Sequence, residues 1–152
     1  MIINSESINT DQPKMSLRSD ICDFIKANSF KGRQKAFNFK DNALNQYINW
    51  AFVNDYILAC FDENELKSML ISYSIKDNPK KVQDLLPSDN KFKSKSICIM
   101  DFIANDQNSR QKITQEFMKK HPNWKSVDKW AIRNGSIVKL DNRYIELVGG
   151  SI

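Results

Sequence analysis

Ser96–Trp124, SICIMDFIANDQNSRQKITQEFMKKHPNW, decides how this chain folds. Ile97, Ile99, Phe102 and Ile103 are β-branched or aromatic and apolar, the composition of a central strand covered on both faces. Asp101 interrupts that run, where an ionised carboxylate is costly unless it is paired or hydrogen-bonded. The polar turn Asn105-Asp106-Gln107-Asn108 follows. Beyond it, Ile113, Phe117 and Met118 share one face of a helix expected over Ser109–His121 and stopped by Pro122. A strand feeding a turn at a helix N-terminus presents backbone N–H groups to an anion, so a site is expected in this same segment.

On its N-terminal side, Tyr56–Phe61 and Leu66–Ile75 flank the turn Asp62-Glu63-Asn64 and predict an antiparallel hairpin. Two helices are expected before it. Ser16 is a candidate N-cap for the first, which runs to Phe30 with Leu17, Ile21, Phe24 and Ile25 at helical spacing. Lys31–Lys40 reads as a cationic connection, and Asp41 or Asn42 caps a second helix with Leu44, Tyr47, Ile48, Ala51 and Phe52 inward. Residues 1–15 are polar, with Pro13 near their end, and are expected as an irregular N-terminal segment, leaving 16–152 as one domain. Between hairpin and central strand, Pro79 and Pro87 exclude a long helix, while Val82, Leu85 and Leu86 allow one turn. After the helix, Val127–Arg133 and Ser136–Leu140 surround Asn134-Gly135, a hairpin signal because both turn residues need positive φ. Asp141-Asn142 permits another turn before a last strand over Tyr144–Val148. The order α-α-β-β-β-α-β-β, with that last strand added, is an α/β fold with a mixed sheet.

At 152 residues and 41% apolar content the chain is long enough for one well-buried core. It has no run of apolar residues long enough to span a membrane as a helix. MIINSESINTDQPK lacks the basic and apolar regions of a secretory signal. Cys22, Cys60 and Cys98 each sit in an apolar run and read as reduced core thiols of a cytoplasmic protein. No metal is expected, because there is no CxxC pair and His121 is the one histidine. The net charge of +5 invites a nucleic-acid reading. Lys76, Lys80, Lys81, Lys91, Lys93 and Lys95 are interrupted by Asp77, Asp84 and Asp89, so the Lys76–Lys95 loop is mildly basic and reads better as a solvated surface.

Asp101 has two readings: the group that holds or accepts a proton in an acyl transfer, or a strand carboxylate paired with Arg133, Lys129 or a backbone donor. His121, ahead of Pro122 at a helix C-terminus, is placed to interact with exposed carbonyls. Arg110, Gln111 and Lys112 fall in the first helical turn, where cations are unusual unless an anion is near; the plainer reading is a solvated turn. Trp50, Trp124 and Trp130 read as core or rim aromatics; only Lys129-Trp130…Arg133 approaches a base-stacking surface. Cys98, between Ile97 and Ile99, is a poor nucleophile because burial disfavours its thiolate.

The element order resembles the GNAT acyltransferases: two N-terminal helices, an antiparallel meander, a central strand, a crossover helix and a C-terminal β-hairpin. More narrowly, Asp101-Phe102-Ile103-Ala104, the turn Asn105–Asn108, and Phe117-Met118-Lys119-Lys120-His121-Pro122 resemble the RTX toxin-activating lysine acyltransferases. That resemblance implies Asp101 as catalytic residue. It implies Asn105, Gln107, Asn108, Arg110, Gln111 and Lys112 as the place for an acyl carrier protein or coenzyme A thioester, whose acyl group goes to a lysine or other amine. Two departures redirect the expectation. GNAT turns read Gln/Arg-x-x-Gly-x-Gly/Ala so that backbone N–H groups can approach a pyrophosphate, and Asn105–Gln111 contains no glycine. The toxin-activating branch pairs its aspartate with a histidine near the N-terminal helices, and Phe30–Phe39 offers Lys31, Arg33 and Lys35 instead. The expectation is a GNAT-like domain without catalysis or cofactor. It would be a structural or binding component of a phage or mobile element, joined to other protein chains in the host cytoplasm or virion. An active acyltransferase is the alternative and a nucleic-acid module the weaker one.

Overall fold

The strand expected over Ser96–Ile103 forms as Ser96–Ala104 and takes fourth place in a six-stranded sheet. A computed structural model describes residues 2–4, 14–28, 41–88 and 96–150. Its elements are β1 (Ile2–Asn4), α1 (Lys14–Asn28), α2 (Asp41–Val53), β2 (Ile57–Asp62), β3 (Glu65–Ile75), β4 (Ser96–Ala104), α3 (Gln107–Lys120), β5 (Asp128–Arg133), β6 (Ser136–Leu140) and α4 (Asn142–Gly149). A single 3₁₀ turn at Val82–Asp84 fills the position that Val82, Leu85 and Leu86 allow.

Spatial order follows chain order, β1-β2-β3-β4-β5-β6, and every neighbouring pair is antiparallel except β4–β5. That parallel pair requires a crossover, and α3 supplies it. Both hairpins use turns with two positive-φ residues, Glu63-Asn64 and Asn134-Gly135, whose twist matches that of the strands.

The sheet is covered on both faces. On one, α1 and α2 bring Leu17, Ile21, Leu44 and Ile48 against Ile57, Met69, Ile71 and Cys98. On the other, α3 and α4 bring Ile113, Phe117, Met118 and Ile145 against Leu58, Leu70 and Ile97. Alternation along β2 and β3 assigns each side chain its face, which is why Ile57 and Leu58 belong to different cores. Cys22, Cys60 and Cys98 are all buried and unbridged. No helix among the described residues is long and apolar enough to cross a membrane.

Four expectations need correction. Ile2–Asn4, expected within an irregular segment, pairs antiparallel with β2 through Ile2↔Cys60 to Asn4↔Leu58. Ser16 lies inside α1, which already begins at Lys14, and so is not its N-cap. The helix after β4 starts at Gln107, two residues before Ser109. The last strand expected over Tyr144–Val148 is the helix α4: the Asp141 carboxylate accepts from Arg143 N at 2.9 Å and starts it. The helix sets Ile145 and Gly149 on one side, against α3. A Cβ at Gly149 would lie 2.7 Å from Met118 Cε, so the close approach uses the missing side chain. Lys31–Lys40 and Lys91, Lys93 and Lys95, with most of the first 15 positions, lie outside the described residues.

Candidate functional site

The site is built where β4 and β5 part. They pair through Ser96↔Asp128, Ile97↔Lys129 and Cys98↔Trp130 and no further. Beyond Cys98, β4 leans on β3 alone, while β5 turns its remaining ladder toward β6.

At the same level the β3–β4 register slips: Ile71 opposes Asp101 and Ser72 opposes Ile99, so Met100 is an extra residue on β4. This is a β-bulge, which re-aims the side chains around it. Before it, Cys98 faces α1 and α2 while Ile97 and Ile99 face α3. Met100 also packs toward α1 and α2, and Asp101, its neighbour, meets the Tyr47 hydroxyl on α2 instead of reversing to the α3 side. Phe102 then returns to the α3 face and Ile103 to the other. The bulge thus sets two successive side chains on one face, and one of them is the carboxylate.

Asp101 is 2% exposed, and its Oδ2 accepts the hydrogen bond from Tyr47 Oη. This corrects the expected pairing with Lys129 or Arg133. The Lys129 ammonium donates to the carbonyls of Trp124 and Val127, and Arg133 lies 5.5 Å from the Tyr144 ring centre. Tyr47 belongs to a group of aromatics beneath the carboxylate: Trp50 lies 5.8 Å from Tyr47, 5.2 Å from Tyr56 and 5.6 Å from Tyr73, centre to centre. Tyr73 donates to Leu85 O at 2.8 Å. Burial, with nearby Cys98 and Asp101, pushes its ionisation well above the ordinary value. Burial also pushes the Cys98 thiol up to about 12, Asp101 adding to the effect, so Cys98 stays a protonated core thiol. Trp130 Nε1 is buried in the same region without a hydrogen-bond partner.

Removing the Tyr47 hydroxyl tests how tightly the carboxylate is held. Tyr47→Phe should lower stability by roughly 1.5–3 kcal/mol, the range for a lost hydrogen bond to a charged group. Urea unfolding checks it. An unchanged midpoint would mean that the hydroxyl contributes nothing to holding Asp101.

Asn105, Gln107, Asn108, Arg110, Gln111 and Lys112 line up at the start of α3, all exposed. The Asn105 N–H is taken by Lys67 O at 2.8 Å. The N-cap is Asp106, whose carboxylate accepts from Ser109 N at 2.7 Å, and those hydrogen bonds hold its pKa below the ordinary carboxylate value. A carboxylate of this chain therefore sits where an anionic ligand would meet the helix N-terminus. The missing glycines and this cap together make the turn a poor fit for the coenzyme A pyrophosphate. His121 is not a cation at the end of α3. Its ring packs 4.9 Å from Phe117 with Nε2 3.4 Å from Ser72 Oγ, and burial, with Lys120 beside it, pushes its pKa down to about 4.

Two features escaped the sequence. Tyr47 was legible as an inward residue of a helix, but nothing local joins it to a carboxylate 54 positions on. Asp106 carried the usual N-cap signal, hidden inside what reads as a four-residue polar turn.

Two helices on one face, an antiparallel meander, and a bulged central strand that parts from its parallel neighbour beside a crossover helix define a GNAT-like, acetyltransferase-like fold. A solved structure from Staphylococcus aureus Mu50, described as a "putative acetyltransferase", superposes with a TM-score of 0.51. It matches over 86% of this chain and 78% of its own at 10% identity, so the likeness is one of fold. No family model matches the chain, and a search of curated proteins found no match.

Proposed function

We propose that this chain is a GNAT-like domain that acts by binding other protein chains and has lost acyl transfer. The observation that carries this reading is the Asp106 cap at the start of α3, with no glycine from Asn105 to Gln111. A GNAT-like fold that binds coenzyme A needs open N–H groups there, and this one fills the place with its own negative charge. A component of a phage or mobile element, working in the host cytoplasm or the virion, fits that loss. Lys76, Lys80 and Lys81 are exposed but interleaved with Asp77 and Asp84, which gives a nucleic-acid surface little support.

One observation favours a second reading, that of an active acyltransferase of the toxin-activating kind. The bulge and Tyr47 orient a single buried carboxylate where the strands part, as a proton-accepting group for an attacking amine would require. A carrier-protein donor would not need the pyrophosphate cradle that the turn lacks.

Calorimetry with coenzyme A, acetyl-coenzyme A and acylated acyl carrier protein separates the two. The binding-component reading expects no heat with any of them and no acyl transfer to lysine peptides. Saturable binding with transfer by the natural chain, falling by roughly 10²-fold or more in Asp101→Asn, would establish the enzyme instead.

A further inference from the structure

The sheet ends on β6, and that edge is open. Ser136–Leu140 pairs with β5 in an unbroken register, Lys129↔Leu140 to Arg133↔Ser136, across the two-residue turn Asn134-Gly135. In such a hairpin the residues flanking the turn exchange both of their hydrogen bonds, and the pattern alternates from there. Ser136, Val138 and Leu140 therefore turn their backbone groups toward β5, and Ile137 and Lys139 turn theirs outward. Among the described residues no hydrogen bond reaches those outward N–H and C=O groups.

Exposed edges pair with other strands unless something blunts them. β1, the opposite edge, is only 3 residues long. β6 has 5 residues, no proline and no bulge, and its single charge, on Lys139, is paired with Asp128 at 3.1 Å. Apolar side chains stand beside it. Val138 and Leu140 are half-buried, and α4, which follows β6, leaves Tyr144 42% and Leu147 84% exposed. Arg133 lies 5.5 Å from the Tyr144 ring centre, so this side of α4 adjoins the β5–β6 hairpin.

The occupant that fits is a second copy, because β6 is complementary to itself. A two-fold pair of identical strands is antiparallel, and the residue on the axis sets its register. With Val138 on the axis, Ile137 of each copy opposes Lys139 of the other, and every outward N–H meets an outward C=O. Moving the axis to Lys139 would set two ammonium groups directly opposite, which is destabilising. Moving it to Ile137 would carry Lys139 past the end of the other strand, to Gly135 of its turn, and leave the outward groups of Lys139 unpaired.

We propose that β6 is a self-association surface: two copies of this chain pair β6 to β6, antiparallel about Val138, into one continuous sheet. The axis stands normal to the sheet, so both α4 helices lie on the same face, and Tyr144 and Leu147 of each flank the seam. This pairing is independent of acyl transfer and goes beyond the binding role proposed above; either reading can fail without the other.

The test is sedimentation equilibrium on the full natural chain and three variants. A species of twice the chain mass is expected, with a dissociation constant on the order of 10 µM. Lys139→Pro removes one outward N–H from each copy and leaves the β5 ladder intact. Losing those two hydrogen bonds should weaken the pairing about tenfold or more. Val138→Asp sets two carboxylates opposite each other on the axis, and Val138→Lys two ammonium groups, so each alone should be monomeric. Mixed in equal amounts these two variants should associate, because pairing about Val138 sets their opposite charges face to face. If one kind of variant does not fold, the other decides. A natural chain that stays monomeric at about 1 mM overturns the proposal. So does a dimer that Lys139→Pro leaves undiminished, and so do folded Val138 variants that are dimeric alone or monomeric when mixed.

Discussion

Between neutral pH and about pH 4 the folded chain should lose about 3 kcal/mol of stability through His121 alone. Burial against Phe117 and the neighbouring Lys120 charge hold this imidazole neutral down to about pH 4, where an unburied histidine titrates near 6.5. Below 6.5 the unfolded chain therefore takes up a proton that the folded chain refuses. Stability falls as pH falls through that window, and below about 4 both states carry the proton and this loss stops growing. Urea unfolding at several pH values, on the natural chain and on His121→Gln, isolates the effect, because acid titration of the carboxylates is common to both. Parallel pH profiles for the two proteins would show that the imidazole is not held neutral.

Phe117→Ala should cost about 3–5 kcal/mol, the range for emptying an aromatic site in a packed core. Phe117 is 1% exposed and packs in the core formed with Ile113, Met118, Trp124 and Ile145. Its loss would also admit water to the imidazole it covers. The variant should thus show two changes at once, a lower midpoint in denaturant and a shallower dependence on acid. A loss below about 1 kcal/mol would mean that α3 does not depend on this contact.

Regular patterning made most of the fold legible. The apolar run of β4, the period of α3 and Asn134-Gly135 are local signals, and each marks an element the structure contains. Where the chain departs from expectation, distant partners decide. Tyr144-Ile145-Glu146-Leu147-Val148 has β-branched and aromatic residues that suit a strand. The Asp141 cap and the fit of Gly149 against Met118 make it a helix. β1 is three residues long and exists because β2 offers an edge. The site was legible as a place and not as an arrangement. Asp101 and the turn after it stand out in the sequence as candidates, but the bulge at Met100 has no sequence signature, and without it the carboxylate would be assigned to the opposite face.

The extra residue at Met100 makes the position of Asp101 a matter of counting. A ladder that smoothed out this bulge would keep every side chain of the sequence and still lose the arrangement. With strict alternation carried through Met100, the carboxylate would swing to the side of the sheet where Ile113 and Phe117 lie, and Tyr47 would lose its acceptor. Removing Met100 would instead leave Ile71 opposite Asp101 and the carboxylate on its present face, so what counts is the register. Among chains of this architecture, keeping the aspartate would signify little unless the ladder set it on this face, by such a bulge or by one residue fewer before it.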